Sequence, residues 1–300
     1  MALGGPRGQA SGRNGSVRVR LLSFPADPSF PVPFLWANSA TPPTRRWGKA
    51  PVTGTSASSV GAASPLDLRS FPQAGVAVVF GASGGIGGAL LAAIRAEQSF
   101  DHVVAFSRST SPSIDLLDEA SLERAASFAA EKGELHLVID ATGFLHDERQ
   151  GPEKSWRQLD AAKLARSFAL NAIGPALIMK HVLPRLPRSG KAVFATLSAR
   201  VGSIGDNRLG GWYSYRASKA ALNQLVRTAA VELARHSPEA FCIALHPGTV
   251  ATALSAPFAA TGLEVHPPPV AARHLLAVVD QLTAEANGGF FDWRAQPVPW

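Results

Sequence analysis

The stretch that most restricts how this chain can fold is residues 75–80 (GVAVVF), running into Gly81-Ala82-Ser83-Gly84-Gly85-Ile86-Gly87-Gly88. A short apolar run meets a glycine cluster, and a helical pattern with Leu90, Leu91 and Ile94 comes next. Glycines let a backbone approach a pyrophosphate, and a helix N-terminus offers free N–H groups and a positive dipole end. The order strand, turn, helix is therefore what a dinucleotide site requires. The spacing fits both G-x-x-x-G-x-G and G-x-x-G-x-x-G, so the glycines alone do not choose between dinucleotide folds.

The chain has 300 residues, 46% apolar and 17% charged, enough for one sizeable core. Its formal charge of +7 is concentrated at one end. Arg7, Arg13, Arg18, Arg20, Arg45, Arg46 and Lys49 face only Asp27 within residues 1–50, and the remainder is close to neutral. Nothing in that balance points to nucleic acid as a partner. Cys242 is the single cysteine, which excludes an internal disulfide framework and fits a reducing, cytoplasmic setting. No run approaches the roughly 18 apolar residues of a membrane span.

Residues 1–70 differ in composition from the rest of the chain. Pro, Gly, Ser and Thr dominate, and Pro25, Pro28, Pro31, Pro33, Pro42 and Pro43 would break any helix. The composition predicts a disordered extension, with a single domain over 71–300. Richness in Arg and Ser also suits an organelle transit peptide, placing the protein in a stroma or matrix. An extension from a misplaced start site would look the same.

The second organising motif is Tyr215-x-x-x-Lys219 in YRASKAALNQLVRTAAVELA, where Leu222, Leu225, Val226, Ala229 and Leu233 recur at helical spacing. Residues four apart share a helix face, so a phenol and an ammonium stand side by side. Free tyrosine titrates at roughly 10, and a nearby ammonium lowers that value, suiting the phenol to proton transfer.

The glycine turn followed in this order by Tyr215 and Lys219 resembles the short-chain dehydrogenase/reductase family over about residues 73–300. The resemblance implies an α/β fold with a Rossmann-type doubly wound parallel sheet, about seven strands flanked by helices on both faces. The runs at 102–106 (HVVAF), 135–140, 192–197, 240–245 and 289–293 supply strands, and Ile114-Asp115-Leu116 resembles the family's short third strand. Cofactor contacts implied by the family fall on Gly81, Ser83, Gly85, Ile86 and Gly87 in the turn, and on Asp115 and Leu116 beside the adenine. They continue through Ala141, Thr142 and Gly143 after the fourth strand, Tyr215 and Lys219, and Pro247, Val250 and Thr252 beside the nicotinamide. Asp140 stands where the family usually has Asn. Ser107 and Arg108 come after the second strand, where an acid would favour NAD(H); a guanidinium there binds phosphate and favours NADP(H). Asn171, in Asn171-Ala-Ile-Gly174, matches the asparagine that bends the middle helix (residues 160–183) and supports the proton relay. That helix and the Tyr-Lys helix often form the dimer interface in relatives, implying a homodimer or homotetramer.

The carbonyl-polarising serine departs from the family pattern. Counting back from Gly202, its place belongs to Ala199. Ser198, at the strand end, is the favoured candidate, and Ser203, twelve residues before Tyr215, is the other. The loop 202–212 and the ending Pro299-Trp300 are similar to the C-factor-like and sniffer-like carbonyl reductases. The expected activity is hydride transfer between NADP(H) and a small-molecule aldehyde or ketone. Tyr215 is its acid/base and Lys219 the tuner, with Ser198 as carbonyl donor and Asn171 in support. The alternative is an NADP(H)-binding regulatory or signalling protein with little turnover. A sugar-nucleotide epimerase reading lacks room, since 81 residues follow Lys219 and strand, lid and helix use them. The histidines show no metal-ligand spacing, and residues 255–269 would form the substrate lid.

Overall fold

The computed structural model describes Met1 and residues 66–148, 150–258 and 264–300. Most of the expected extension and the middle of the expected lid, residues 259–263, lie outside the described residues. Strands β1 (Val76–Phe80), β2 (His102–Phe106), β3 (Leu135–Asp140), β4 (Ala192–Leu197), β5 (Ala240–His246) and β8 (Phe290–Asp292) form one sheet in the order β2-β1-β3-β4-β5-β8, every pairing parallel. Two short strands, β6 (Thr249–Val250) and β7 (Val265–His266), pair separately. The helices are α1 (Gly85–Glu97), α2 (Glu119–Ala130), α3 (Ala161–Phe168), α4 (Gly174–Val182), α5 (Tyr213–His236) and α6 (Pro268–Gln281).

Alternation along the strands builds two cores. Val76, Val78 and Phe80 of β1, Phe194 of β4 and Cys242 of β5 face one layer with Leu122, Ile178 and Leu222, from α2, α4 and α5. Ala77, Val79, Val193, Phe241 and Ile243 face the other with Leu90, Ile94 and Leu275, from α1 and α6. Strands buried on both faces read as continuous apolar runs, as these do. The packed chain already includes Leu66 and Leu68, ahead of residue 71 where the sequence suggests the fold begins.

Among the described residues the sheet has six strands, where about seven are expected. Residues 114–116 are not a strand, because local bonds take their polar groups. The Asp115 carboxylate accepts from Leu117 N–H at 2.9 Å, Asp115 N–H donates to the Ser121 hydroxyl at 2.9 Å, and Asp118 N–H closes a turn on Asp115 C=O. Asp118 then caps α2 through Ala120 N–H.

The long helix expected over 160–183 is interrupted. Asp160 caps α3, a π-turn spans Ala169–Ile173, and α4 resumes at Gly174, whose N–H donates to Ala169 C=O. The extra residue of such a turn is common at functional sites, and Asn171 sits inside it. Gly174 has a packing reason. A Cβ there would come within 2.8 Å of Leu116 Cβ. Replacing a helical glycine with alanine ordinarily gains about 1 kcal/mol, but overpacking costs about 1–3 kcal/mol. Gly174→Ala is expected to lower stability by up to about 2 kcal/mol in urea titration; a gain would show that Leu116 yields freely.

Candidate active site

The sequence order reverses on either side of β1, which pairs with both β2 and β3, and the crevice at such a switch point is where α/β sheets bind ligands. Gly81, at φ +76°, opens the turn after β1, and a Cβ on it would lie 2.9 Å from the Ala141 carbonyl carbon and oxygen. Gly81 N–H and Ala82 N–H both donate to Phe106 C=O, tying the turn to the end of β2. A Cβ on Gly87 would fall 2.2 Å from Gly81 C=O, so helix and turn meet backbone to backbone. Gly84 caps α1 without a side chain, and the first turn carries no acid. Ser83 and Gly85 are exposed, and Ile86 is half-buried. An uncapped helix start with a glycine approach fits the diphosphate of a dinucleotide.

At the end of β2, Ser107 is buried and its hydroxyl pairs with that of Ser109 at 3.0 Å, while Thr110 closes the turn on Ser107 N–H. Arg108 is exposed beside it, with no ion-pair partner among the described residues. Asp115 is exposed, and Leu116 lies against Gly174.

Past β3, Asp140 is fully buried. Its carboxylate accepts from Thr142 N–H at 3.0 Å, the Thr142 hydroxyl at 2.6 Å and the Thr196 hydroxyl at 2.7 Å. Burial pushes its carboxyl above the usual range, against those donors and the Lys219 charge, which pull it down. Lys219 is also buried, and its ammonium donates to Leu197 C=O at 2.7 Å. Burial lowers Lys219 to about 8, with Asp140 opposing the fall. Gly143 faces both Lys219 and Asn171, since a Cβ on it would lie 3.7 Å from Nζ and 3.8 Å from Oδ1. The Asn171 amide is fully engaged. It accepts from Phe144 N–H at 2.7 Å and donates to Phe144 C=O at 2.7 Å and the Ser218 hydroxyl at 3.1 Å.

Tyr215 lies in the first turn of α5 and lines a cavity of about 460 Å³ with Ser198, Ala199, Pro247, Val250 and Thr252. Burial pushes its phenol up to about 12. That is opposite to the lowering expected from Lys219, whose ammonium is held on Leu197 C=O; burial alone sets the direction. Thr252 also touches the cofactor turn, since a Cβ on Gly85 would come within 2.7 Å of its methyl. Two motifs far apart in the chain thus meet at one edge of the cavity.

The serines divide. Ser203 is buried away from the cavity, its hydroxyl donating to Pro299 C=O. Ser198 reaches the cavity, but its hydroxyl lies 2.6 Å from Asn223 Oδ1. The Asn223 amide nitrogen faces Gly202 C=O at 3.4 Å, so its oxygen faces Ser198 and takes the hydroxyl proton. Ala199 occupies the cavity wall beside them. His246, at the end of β5, also lines the cavity; burial lowers it to about 4, leaving it neutral.

Two residues of this neighbourhood escape a reading of the sequence. Asn223 stands four residues after Lys219, on the same face of α5, a spacing that would have flagged it. Glu153 gives no local signal. It is buried, yet its carboxylate accepts from Ser214 N–H at 3.1 Å and from the Ser214 hydroxyl, one residue before Tyr215.

Comparison with known proteins places this geometry in context. The family model described as enoyl-(acyl carrier protein) reductase matches residues 71–265. The C-signal protein of Myxococcus xanthus is 40% identical over 143 residues, covering 47% of this chain and 81% of its own. A 1-hydroxy-2-glutathionyl-2-methyl-3-butene dehydrogenase of Rhodococcus is 34% identical over 180 residues, covering 60% of this chain and 75% of its own. The NADPH-bound carbonyl reductase from chicken fatty liver superposes with a TM-score of 0.67 at 25% identity, covering 81% of this chain and 100% of its own. The carbonyl reductase Sniffer of D. melanogaster shares the fold with a TM-score of 0.64 at 21% identity, over 75% of this chain and 99% of its own. With the glycine turn, the Tyr-Lys helix and a family match spanning most of the described residues, the chain belongs to the short-chain dehydrogenase/reductase family of oxidoreductase enzymes.

Proposed function

We propose that the protein reduces an aldehyde or ketone with NADPH, or runs the reverse oxidation, at the cavity lined by Tyr215. The observation that carries this reading is the meeting of Ile86, from the glycine turn, with Thr252 and Tyr215 around one cavity, a coenzyme cradle and an acid side by side. Bound nicotinamide would supply the hydride. Gly81, Ser83, Gly85, Ile86 and Gly87 would hold the diphosphate, with Ser107 and Arg108 at the adenosine end and Asp115 and Leu116 beside the adenine. Ala141, Thr142, Gly143, Pro247, Val250 and Thr252 would line the nicotinamide side.

Tyr215 keeps its proton well past neutrality and so serves as the acid for the developing alkoxide. Lys219 carries its charge below pH about 8 and would stabilise the phenolate left behind. Asn171, pinned at both amide ends, fixes the π-turn behind Lys219 and Gly143. Ser198 is the hydroxyl proposed to polarise the carbonyl, and to do so it must turn its proton from Asn223 to the substrate oxygen. Apolar walls from Leu145, Trp212, Leu254 and Phe258 suit a hydrophobic carbonyl compound.

The buried thiol of Cys242, pushed up by burial, fits a reducing cytoplasm. Between α4, the turn after it and α5, Met179, Leu183, Leu225 and Leu233 line a groove that would seat a second copy. A monomeric mass by light scattering would rule that assembly out.

NADPH and NADH oxidation should be followed with a panel of aldehydes, ketones and quinones. Tyr215→Phe is expected to lower turnover by about 10²–10⁴, the usual contribution of an acid/base group. NADPH binding without oxidation across the panel would favour a regulatory protein instead. Arg108→Ala should raise the KM for NADPH about tenfold or more and leave NADH unchanged, since one charge-assisted contact supplies about 1.5–3 kcal/mol. Reduction needs both the phenol proton, kept until pH about 12, and the ammonium, kept only below about 8. The kcat/KM for NADPH is therefore expected to fall as pH rises through about 8; a profile flat to pH about 10, near the ordinary lysine range, would remove Lys219 from the mechanism.

A further inference from the structure

The last residue before α5 is held against its local preference. Gly210, Gly211 and Trp212 have φ of +63°, +65° and +52°, three successive left-handed residues. Glycine takes that conformation freely, so of the three only Trp212 pays for it, roughly 1–2 kcal/mol. Trp212 is also the N-cap of α5 and offers no side-chain acceptor to the free N–H groups behind it.

Two charged side chains hold the turn from opposite sides. Glu153, from the loop between β3 and α3, accepts from Trp212 N–H through its backbone C=O at 2.5 Å. Its carboxylate takes both Ser214 N–H and the Ser214 hydroxyl, so it caps α5 from 61 residues upstream. On the other side the Arg216 guanidinium donates to Gly211 C=O at 3.0 Å, Gly210 C=O at 3.3 Å and Val201 C=O at 3.2 Å. What this clamp fixes is the wall of the cavity. The Trp212 indole packs edge-on against Tyr215, ring centroids 6.2 Å apart, and against Phe258 at 5.1 Å.

Glu153 is thereby coupled to the site from behind as well. Gln150, three residues earlier, donates to the Ser167 hydroxyl at 3.1 Å and to Lys163 C=O on α3. Phe144, at the start of the same loop, is held at both backbone groups by Asn171. One loop connects the π-turn to the first turn of the Tyr215 helix.

We propose that Glu153 is a positioning residue for the reaction, acting through Ser214 and the left-handed turn to set Tyr215 and the Trp212 wall. The inference rests on the reductase reading. Glu153→Ala leaves two buried donors of Ser214 without an acceptor, and the helix start is free to relax. Glu153→Gln keeps one acceptor oxygen for Ser214 N–H.

The test compares wild type, Glu153→Ala, Glu153→Gln and Tyr215→Phe in the full chain. Steady-state kinetics with NADPH and a substrate from the carbonyl panel are run beside hydrogen exchange. Glu153→Ala should lower kcat ten- to a hundredfold while the Kd for NADPH, read by nucleotide fluorescence, stays within about twofold, because the glycine turn is untouched. Exchange should rise for amides 212–216 and not across the sheet, and Glu153→Gln should recover at least a third of kcat. A folded Glu153→Ala enzyme with kcat within twofold of wild type overturns the positioning role alone. Global exchange, or equal losses in kcat and NADPH binding, overturns it too, by making Glu153 a residue of general stability. Wild type that oxidises no NADPH, or a Tyr215→Phe enzyme as active as wild type, overturns the reductase reading and the positioning role with it.

Discussion

A buried ammonium is the constraint around which this site is assembled. Taking a lysine charge out of water costs several kcal/mol unless hydrogen bonds and an opposite charge replace the lost hydration. Lys219 finds Leu197 C=O at the end of β4 and the Asp140 carboxylate field at the end of β3. Both partners sit at C-terminal strand ends, where a parallel sheet leaves carbonyls unpaired. Small residues complete the arrangement, since Gly143 leaves room at the ammonium and Gly202 lets the backbone after β4 lie against Lys219 itself. Two strand ends and one helix are therefore fixed relative to one another by the needs of one side chain. The lowered value near 8 shows that the compensation is partial, which keeps the charge within reach of titration.

That constraint gives Asp140 a physical role. An asparagine in this place would supply hydrogen bonds but no charge. Here the carboxylate binds Thr142 and Thr196, linking β3 to β4, and faces the ammonium as well. The linkage is internal to the fold, and none of the three groups lines the cavity beside Tyr215. The charge at this strand end thus acts on Lys219 without touching the cavity wall.

The strands and the glycine turn were legible in the sequence because their causes are local. Continuous apolar runs mark strands covered on both faces, and Gly81 and Gly87 announce a close approach that their own neighbours impose. Tyr215 and Lys219 are legible for the same reason, four residues apart on one helix. The absence of a seventh strand was not, because Asp115, Asp118 and Ser121 satisfy the backbone by side-chain bonds that compete with a ladder. Nor was the direction of the Ser198 proton, which depends on Asn223 from another element. Glu153 lies furthest from view. Its meaning arises only when a loop after β3 is laid against the start of α5, and one acid among several in a polar stretch carries no periodicity to betray it.

The left-handed entry to α5 shows why such long-range support is needed at all. A helix with a serine or aspartate at its N-cap satisfies its own first turn. Trp212 in that place gives up the cap in exchange for an indole over Tyr215 and opposite Phe258. The unmet N–H groups must then be answered from elsewhere, and the answering carboxylate must be anchored well enough not to follow the turn if it relaxes. Glu153 meets that requirement because its loop is fastened to α3 by Gln150 and to the π-turn by Phe144. The aromatic wall and the buried acid are therefore two halves of one arrangement. A serine at position 212 would lose the indole that packs against the phenol, and in the left-handed conformation found there it would not reach the helix's own N–H groups as a capping serine does.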